Sequence, residues 1–367
     1  MDSGKRKMVA IALVVVLVVA AAAVVLVSGV MKPTYSASVT DAAGQQVSMN
    51  KTPERIVSCS PAISEIVCSL GLGDKLVAVT SYDDYPAQVK ALVAENATIG
   101  GFYTPNFESI VSYAPDLVLV NSGVPQHQAV AQQLKEAGYT VVQLYAQDNL
   151  EEVYKSIELV GNISGKQTKA TEVITAMNDR IAEIGAKIGS GVSKPSVMYV
   201  SYAEPGFTNV WPSGANTAID QIISMAGGVN VFADKSGWLN PSQEVLIDRA
   251  ASVDCLVITS MFSGSDAENM TAFFKADPIW QNSPAVINNK IYYLQGQAES
   301  IFNRQTVRMV DAVQLLAEML HPSLFSSQIP SDPSGVNLIG DEYGNYLTPG
   351  TSSQTTFTAI GATISRD

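Results

Sequence analysis

The sequence predicts an α/β fold of two lobes, each a parallel sheet covered by helices, joined by one long helix and preceded by an N-terminal transmembrane helix. Three observations carry this expectation. Short runs rich in β-branched residues alternate with amphipathic stretches, as parallel strands linked by helical crossovers require. The alternation pauses for a single helical pattern from Thr168 to Ile188 and then restarts. At 367 residues the chain is longer than one core usually supports, so two units are expected.

Met8 to Met31 holds 24 residues without a charge, 22 of them apolar, and spanning a bilayer takes about 20. Lys5, Arg6 and Lys7 precede this run and Lys32 follows it, which keeps the N-terminus cytoplasmic and puts the rest outside. A cleaved signal peptide is the competing reading. Its apolar region normally runs about 7 to 15 residues and ends in a small-residue cleavage site; no Ala-x-Ala site closes this run, so an uncleaved anchor is expected. Ser38 to Met49 alternates around Asp41-Ala42-Ala43-Gly44 and reads as a β-hairpin. First-lobe strands are expected at Arg55 to Ser60, Lys75 to Thr80, Asp116 to Asn121 and Thr140 to Tyr145, with helices at Ser64 to Leu72, His127 to Ala137 and Leu150 to Gly161. In the long helix Ala170, Val173, Ile174, Met177, Ile181, Ile184 and Ile188 form one apolar stripe, which Gly189-Ser190-Gly191 ends. Second-lobe strands follow at Pro195 to Tyr202, Cys255 to Ser260 and Lys290 to Leu294, with helices at Asn216 to Ala226, Gln243 to Ser252 and Gln305 to Leu320. Beyond Phe325 the chain turns to Pro, Ser, Gly and Thr without a period, and a poorly ordered tail is expected. The expected division is 1–32 membrane anchor or signal segment, 38–165 N-terminal lobe, 166–191 bridging helix, 192–325 C-terminal lobe and 326–367 polar tail.

Composition narrows the function. An apolar content of 47% with 15% charged residues excludes wholesale disorder, and 22 basic against 34 acidic residues argue against nucleic acid, which needs clustered Lys and Arg. Cys59, Cys68 and Cys255 lack zinc-site spacing and read as small buried residues. His127 opens an amphipathic helix and His321 lies in a helix-ending His-Pro, so both read as surface residues. There is no Gly-x-Ser-x-Gly elbow, His-Glu-x-x-His or Walker loop. No catalytic residue, metal site or resident cofactor is expected; a membrane-anchored hydrolase is a remote alternative without a nucleophile elbow.

Aromatic residues beside loops are the better lead. Ser81-Tyr82-Asp83-Asp84-Tyr85-Pro86, Gly100-Gly101-Phe102-Tyr103-Thr104 and Gly237-Trp238 stand where α/β sheets bind ligands, outside the carboxyl ends of strands. Their rings suit a flat or macrocyclic ligand, against the bland alternative of packing on loop backbone. Trp280 reads as a structural plug, and Trp211 beside Pro212 is compatible with either role. Each lobe also repeats a glutamate at a helix start followed by an aspartate opening a buried strand: Glu108 with Asp116, and Glu244 with Asp254.

Pro53 through Glu65, the Ser-Tyr-Asp-Asp-Tyr-Pro loop, Ala114-Pro115-Asp116-Leu117-Val118, Ala226-Gly227-Gly228-Val229-Asn230-Val231-Phe232 and Asp277-Pro278-Ile279-Trp280 resemble the helical-backbone class of ABC-importer substrate-binding proteins, receptors for cobalamin and ferric siderophores. The resemblance covers about Ser38 to Phe325. It implies two Rossmann-like lobes with ligand held between them, small rigid-body closure about the bridging helix, and delivery to an ABC permease with cytoplasmic ATPase subunits. It implies that Glu108 and Glu244 dock on permease arginines, whereas taken alone each glutamate merely complements a helix N-terminus. Tyr82, Asp84, Tyr85, Phe102, Tyr103, Trp211 and Trp238 are the ligand-binding candidates. Phe102 stands where the family has a tryptophan. Arg304 is the one obvious cleft arginine of the kind siderophore receptors use, and pairing with a carboxylate is an equal expectation for it. A cobalt corrinoid is the expected ligand, with a ferric siderophore or haem-type iron complex as the alternative.

Overall fold

The structure is a computed structural model that describes residues 35–259, 264–325, 329, 332 and 334–348. The apolar run Met8 to Met31, expected as a span, lies outside the described residues; among the described residues no helix is long and apolar enough to cross a membrane.

Strands β1 (Ala37–Thr40) and β2 (Gln46–Met49) form the expected hairpin, with Ala37 opposite Met49. The Asp41 carboxylate closes its turn by accepting from the backbone N–H groups of Ala43 and Gln45. β3 (Ile56–Ser58), β4 (Leu76–Ala78), the short pair β5 (Gly100–Gly101) and β6 (Thr104–Pro105), β7 (Leu117–Asn121) and β8 (Val141–Leu144) follow. The first lobe's sheet runs β4-β3-β7-β8, all parallel. Every residue of β7 and β8 is buried, the consequence of helices covering both faces.

The second lobe contains β9 (Ser196–Glu204), β10 (Thr208–Pro212), β11 (Val229–Asn230), β12 (Cys255–Thr259), β13 (Ile291–Leu294) and β14 (Asn337–Ile339). Its sheet runs β10-β9-β12-β13-β14 with β11 also beside β9; β10 returns antiparallel, and the other pairings are parallel. Strand β14 corrects the expectation of a poorly ordered tail. Three residues are too few to show a period, yet Asn337 Nδ2 donates to the carbonyls of Asn289 and Ile291, each at 2.8 Å, and fastens the strand to the sheet edge.

The bridging helix spans Gln167–Ile188, and its apolar stripe is divided between the lobes. Ala170, Val173 and Met177 belong to the first lobe's core, while Ile184 and Ile188 belong to the second's. Gly189, at φ +68°, supplies the left-handed step that ends it. The helix Met309–Leu320 is also shared, because Val310, with Val307 just before the helix, joins the first core while Val313 and Leu316 join the second. Cys59, Cys68 and Cys255 are buried free thiols, and burial pushes each up to about 12. Trp280 is a plug, 2% exposed, edge-on to Phe207 and Phe274.

Two expectations fail at the histidines. His127 is fully buried: its Nδ1 accepts from the Asn121 N–H at 3.1 Å, so Nε2 carries the proton it shares with the Phe102 carbonyl at 2.7 Å. Burial lowers its pKa and keeps the ring neutral. His321 is buried too, over Gly227, where a β-carbon would stand 3.0 Å from its Nε2. Amphipathic patterning misses both: the His127 ring is satisfied at both nitrogens and packs as readily as an apolar ring, whereas the His321 Nε2 is buried without a hydrogen-bond partner.

Candidate ligand-binding cleft

The loops at the carboxyl ends of the strands converge between the lobes. Ser60 follows β3, Tyr82 follows β4, Asn121 ends β7 and Gln147 follows β8; from the other lobe come Glu299, Asn303, Arg304 and Gln305. These eight line one cavity of about 690 Å³ together with Phe102 and Tyr103. That volume is in the range of small-molecule sites. A smaller chamber of about 350 Å³ shares Asp148, Asn303 and Gln305 with it and is walled by Trp238 and Thr217.

Tyr82, Tyr103 and Trp238 are 64%, 66% and 47% exposed, an unusual state for large rings unless something covers them. Phe102 is held in place by His127, whose ring meets it edge-on at 5.0 Å and whose Nε2 bonds its carbonyl. Trp238 lies 6.3 Å from Tyr199, and the buried Tyr199 hydroxyl donates to Asn303 at 2.7 Å, so the second lobe's wall is fixed from behind.

The other candidates are placed differently. Asp84 lines neither chamber; it accepts a hydrogen bond from Arg304 across the lobe boundary, and Arg304 also donates to the Tyr82 carbonyl at 3.2 Å. Tyr85 lies under Arg308, its ring centroid 3.9 Å from the guanidinium carbon. Trp211 stands outside both chambers on β10, opposite Tyr202, with Nε1 donating to Asn209 at 3.1 Å. Glu108 and Glu244 are exposed second residues of the helices Phe107–Ser112 and Gln243–Ala250, whose caps are Asn106 and Ser242. No ion pair involves either glutamate among the described residues.

Sequence reasoning overlooked the buried link between lobes. Glu65 on the helix Pro61–Ser69 accepts from Arg308 Nε at 2.9 Å and Nη2 at 2.5 Å, and from Thr306 Oγ1 at 2.6 Å. The Glu65 and Arg308 side chains are 1% and 4% exposed. The only signal was a glutamate inside an otherwise apolar helix.

Asp83 is a second overlooked carboxylate. It is 2% exposed, its Oδ2 accepts from the Thr80 N–H and hydroxyl, and its Oδ1 has no partner. Burial raises it to about 6, only partly offset by the hydrogen bonds from Thr80. The folded state therefore holds this proton more tightly than the unfolded chain, where Asp titrates near ~3.9. Its stabilising contribution is complete below about pH 4 and is lost as pH rises through 6. Asp83→Asn keeps an acceptor for both Thr80 bonds and is expected to raise stability at pH 7 by roughly 2 kcal/mol relative to its effect at pH 4. Parallel melting-temperature profiles for the two proteins from pH 4 to 7 would show the idea to be wrong.

The periplasmic binding protein family matches residues 56–298. A Bacillus subtilis protein described as an uncharacterized ABC transporter substrate-binding lipoprotein is 30% identical over 79% of this chain and 87% of its own length. A vitamin B12-binding protein of Vibrio cholerae is 29% identical over 73% of this chain and 89% of its own. The solved periplasmic vitamin B12 binding protein of Vibrio cholerae, 25% identical, covers 74% of this chain and 98% of its own with a TM-score of 0.57. A periplasmic heme-binding protein from Roseiflexus sp. RS-1, 24% identical, covers 74% and 99% with a TM-score of 0.62, a likeness of fold. By sequence match, paired parallel sheets and a shared bridging helix, this chain belongs to the periplasmic binding protein family, in the helical-backbone class of ABC-importer substrate-binding proteins.

Proposed function

We propose that this protein is the extracytoplasmic receptor of an ABC importer, held at the membrane through its N-terminal segment, that binds a corrinoid between its lobes and delivers it to a permease without altering it. One observation carries the ligand reading: the exposed rings of Tyr82, Tyr103 and Trp238 and the half-buried ring of Phe102, drawn from both lobes, line two chambers that share Asp148, Asn303 and Gln305. Such walls suit a large flat ring system. Relatives described as vitamin B12-binding and cobalamin-binding support the same choice.

Arg304 is the observation that favours an anionic iron chelate instead. Its guanidinium is already engaged by Asp84 and the Tyr82 carbonyl, and two carboxylates, Asp148 and Glu299, share the cavity. Burial raises the pKa of both, with Glu152 adding to the effect at Asp148. An anionic ligand gains little there. Titration calorimetry with cyanocobalamin, dicyanocobinamide, hemin and ferric desferrioxamine tests the choice. Heat and saturation with the corrinoids are expected, together with quenching of Trp fluorescence that Trp238→Phe largely removes. Binding confined to hemin or the ferric hydroxamate would reverse the ligand assignment.

A further inference from the structure

The helix Gly296–Asn303 supplies the second-lobe wall of the larger cavity, and its start has no cap of its own. Glu299 and Asn303, one turn apart on one face, line the cavity, and Arg304 and Gln305 follow directly after the last helical residue. The first N–H groups of any helix lack partners inside it. Here Gln295, at the cap position, makes no side-chain bond to them. The acceptor comes instead from 44 positions away: Asp341 Oδ1 takes the Gln297 N–H at 2.9 Å. A carboxylate at a helix N-terminus is favoured by the helix dipole as well.

The backbone at Gly296 is fitted to this contact. Gly296 sits at φ +56°, and a β-carbon on it would collide with Asp341 Oδ1, so glycine is what lets the carboxylate approach. Asp341 is itself held in place. The Gln295 N–H bonds the Ile339 carbonyl at 2.9 Å, β14 pairs in parallel with β13, and the buried Tyr343 donates to Asp311 at 3.1 Å. Gln297 is tied on its other side too: its Oε1 accepts from Arg308 Nη1 at 2.8 Å, and Arg308 grips Glu65 of the first lobe. Eight residues make a helix about 12 Å long, too short to persist alone in water. The anchorage at its start therefore governs where Asn303 and Arg304 stand at its end.

We propose that Asp341 is a positioning residue for ligand binding, which caps the helix Gly296–Asn303 and so fixes Glu299, Asn303, Arg304 and Gln305 in the cavity wall. The proposal rests on this cavity being the ligand site, and it holds whichever ligand fills the site. Asp341 lies beyond residues 56–298, the part that matches the family. Without the cap the helix start frays, and the wall residues at its far end leave the binding position for part of the time. A ligand then meets a correct wall in only a fraction of molecules, and its apparent Kd rises as that fraction falls. The usual cost of a lost cap makes this rise roughly fivefold.

The test uses the purified full chain in detergent. Asp341→Ala is expected to weaken cyanocobalamin roughly fivefold and to speed amide hydrogen exchange across 297–304 in the unliganded protein by a similar factor. Asp341→Asn keeps the acceptor and is expected to bring both readings back to within about twofold of wild type. Ser283→Ala is the control for stability lost elsewhere: Ser283 caps the helix Pro284–Ile287 by accepting from the Val286 N–H at 3.3 Å, and it lines neither chamber. It is expected to lower Tm without changing affinity or the exchange of 297–304. An Asp341→Ala protein that melts earlier yet binds cyanocobalamin as the wild type does overturns the positioning role, and so does an Asp341→Asn protein that binds as weakly as Asp341→Ala. A wild type that binds hemin or ferric desferrioxamine and not cyanocobalamin overturns the corrinoid reading alone; the same three variants titrated with that chelate then decide the role of Asp341 by the same two outcomes.

Discussion

Replacing Arg308 with methionine is expected to destabilise the protein by about 3–5 kcal/mol, the usual consequence of leaving one member of a buried ion pair without its partner. Glu65 would keep the Thr306 hydroxyl at 2.6 Å but lose both guanidinium contacts, in a place where its side chain is only 1% exposed. Arg304 cannot replace them without moving, since its Nη1 is 3.7 Å from Glu65 and is engaged by Asp84. The loss includes packing, because the Arg308 guanidinium also covers the Tyr85 ring and donates to Gln297 at 2.8 Å. The double variant Glu65→Leu with Arg308→Met is expected to recover most of the stability, as apolar replacements of buried ion pairs commonly do. A double-mutant cycle in urea at pH 7 measures the coupling directly. A single-variant cost below about 1 kcal/mol would mean that the pair is solvated in solution. Glu65 lies on a first-lobe helix and Arg308 at the start of the helix whose core both lobes share, so the pair sits where the lobes meet and fixes how they face each other.

How much of this was legible in the sequence follows from the range over which each feature is encoded. The crossover strands and the bridging helix are written locally, as the buried runs Leu117–Asn121 and Cys255–Thr259 and the stripe ending at Ile188. The aromatic loops were visible because strand ends and rings coincide within a few residues. Glu65 with Arg308 was not visible, because the two are separated by more than 150 positions and a single charge in each segment makes no local pattern. Strand β14 was hidden for a different reason: Asn337–Ile339 is held by a sheet edge and by side-chain amides, while the Pro and Ser residues before it look like linker. The segment after it is bound just as specifically. Asp341 accepts from the Gln297 N–H at 2.9 Å, Tyr343 donates to Asp311 at 3.1 Å, and the Thr348 carbonyl accepts from Arg180 of the bridging helix at 2.9 Å. A stretch that reads as tail thus supports the helix leading to Asn303 and Arg304.

Charge reversal of Glu108 and Glu244 together is expected to abolish uptake while leaving corrinoid affinity unchanged. Each glutamate is the second residue of an exposed helix, one on each lobe. Each helix start follows an aromatic of the cleft by a few residues, Phe102 in one lobe and Trp238 in the other, so a cleft loop and an exposed glutamate are carried on the same short segment in each lobe. Neither carboxylate is consumed by an internal ion pair among the described residues, which leaves both free to take an arginine in bidentate fashion. At about 2 kcal/mol or more per truncated charge pair, two lost contacts weaken docking by roughly a thousandfold, and like charges in their place weaken it further. If the glutamates serve only their helix N-termini, the reversals cost about 0.3–1 kcal/mol of stability each and transport survives. Net charge is the remaining explanation, because the chain after Lys32 has 33 acidic and 18 basic residues and its field steers association. Glu95→Lys with Glu158→Lys changes the net charge equally at exposed sites elsewhere and is expected to leave uptake near normal. Equal losses in the two double variants would assign the effect to the overall field, whereas a loss confined to Glu108 and Glu244 ties permease recognition to one carboxylate on each lobe, a contact that registers the separation of the lobes as well as their presence.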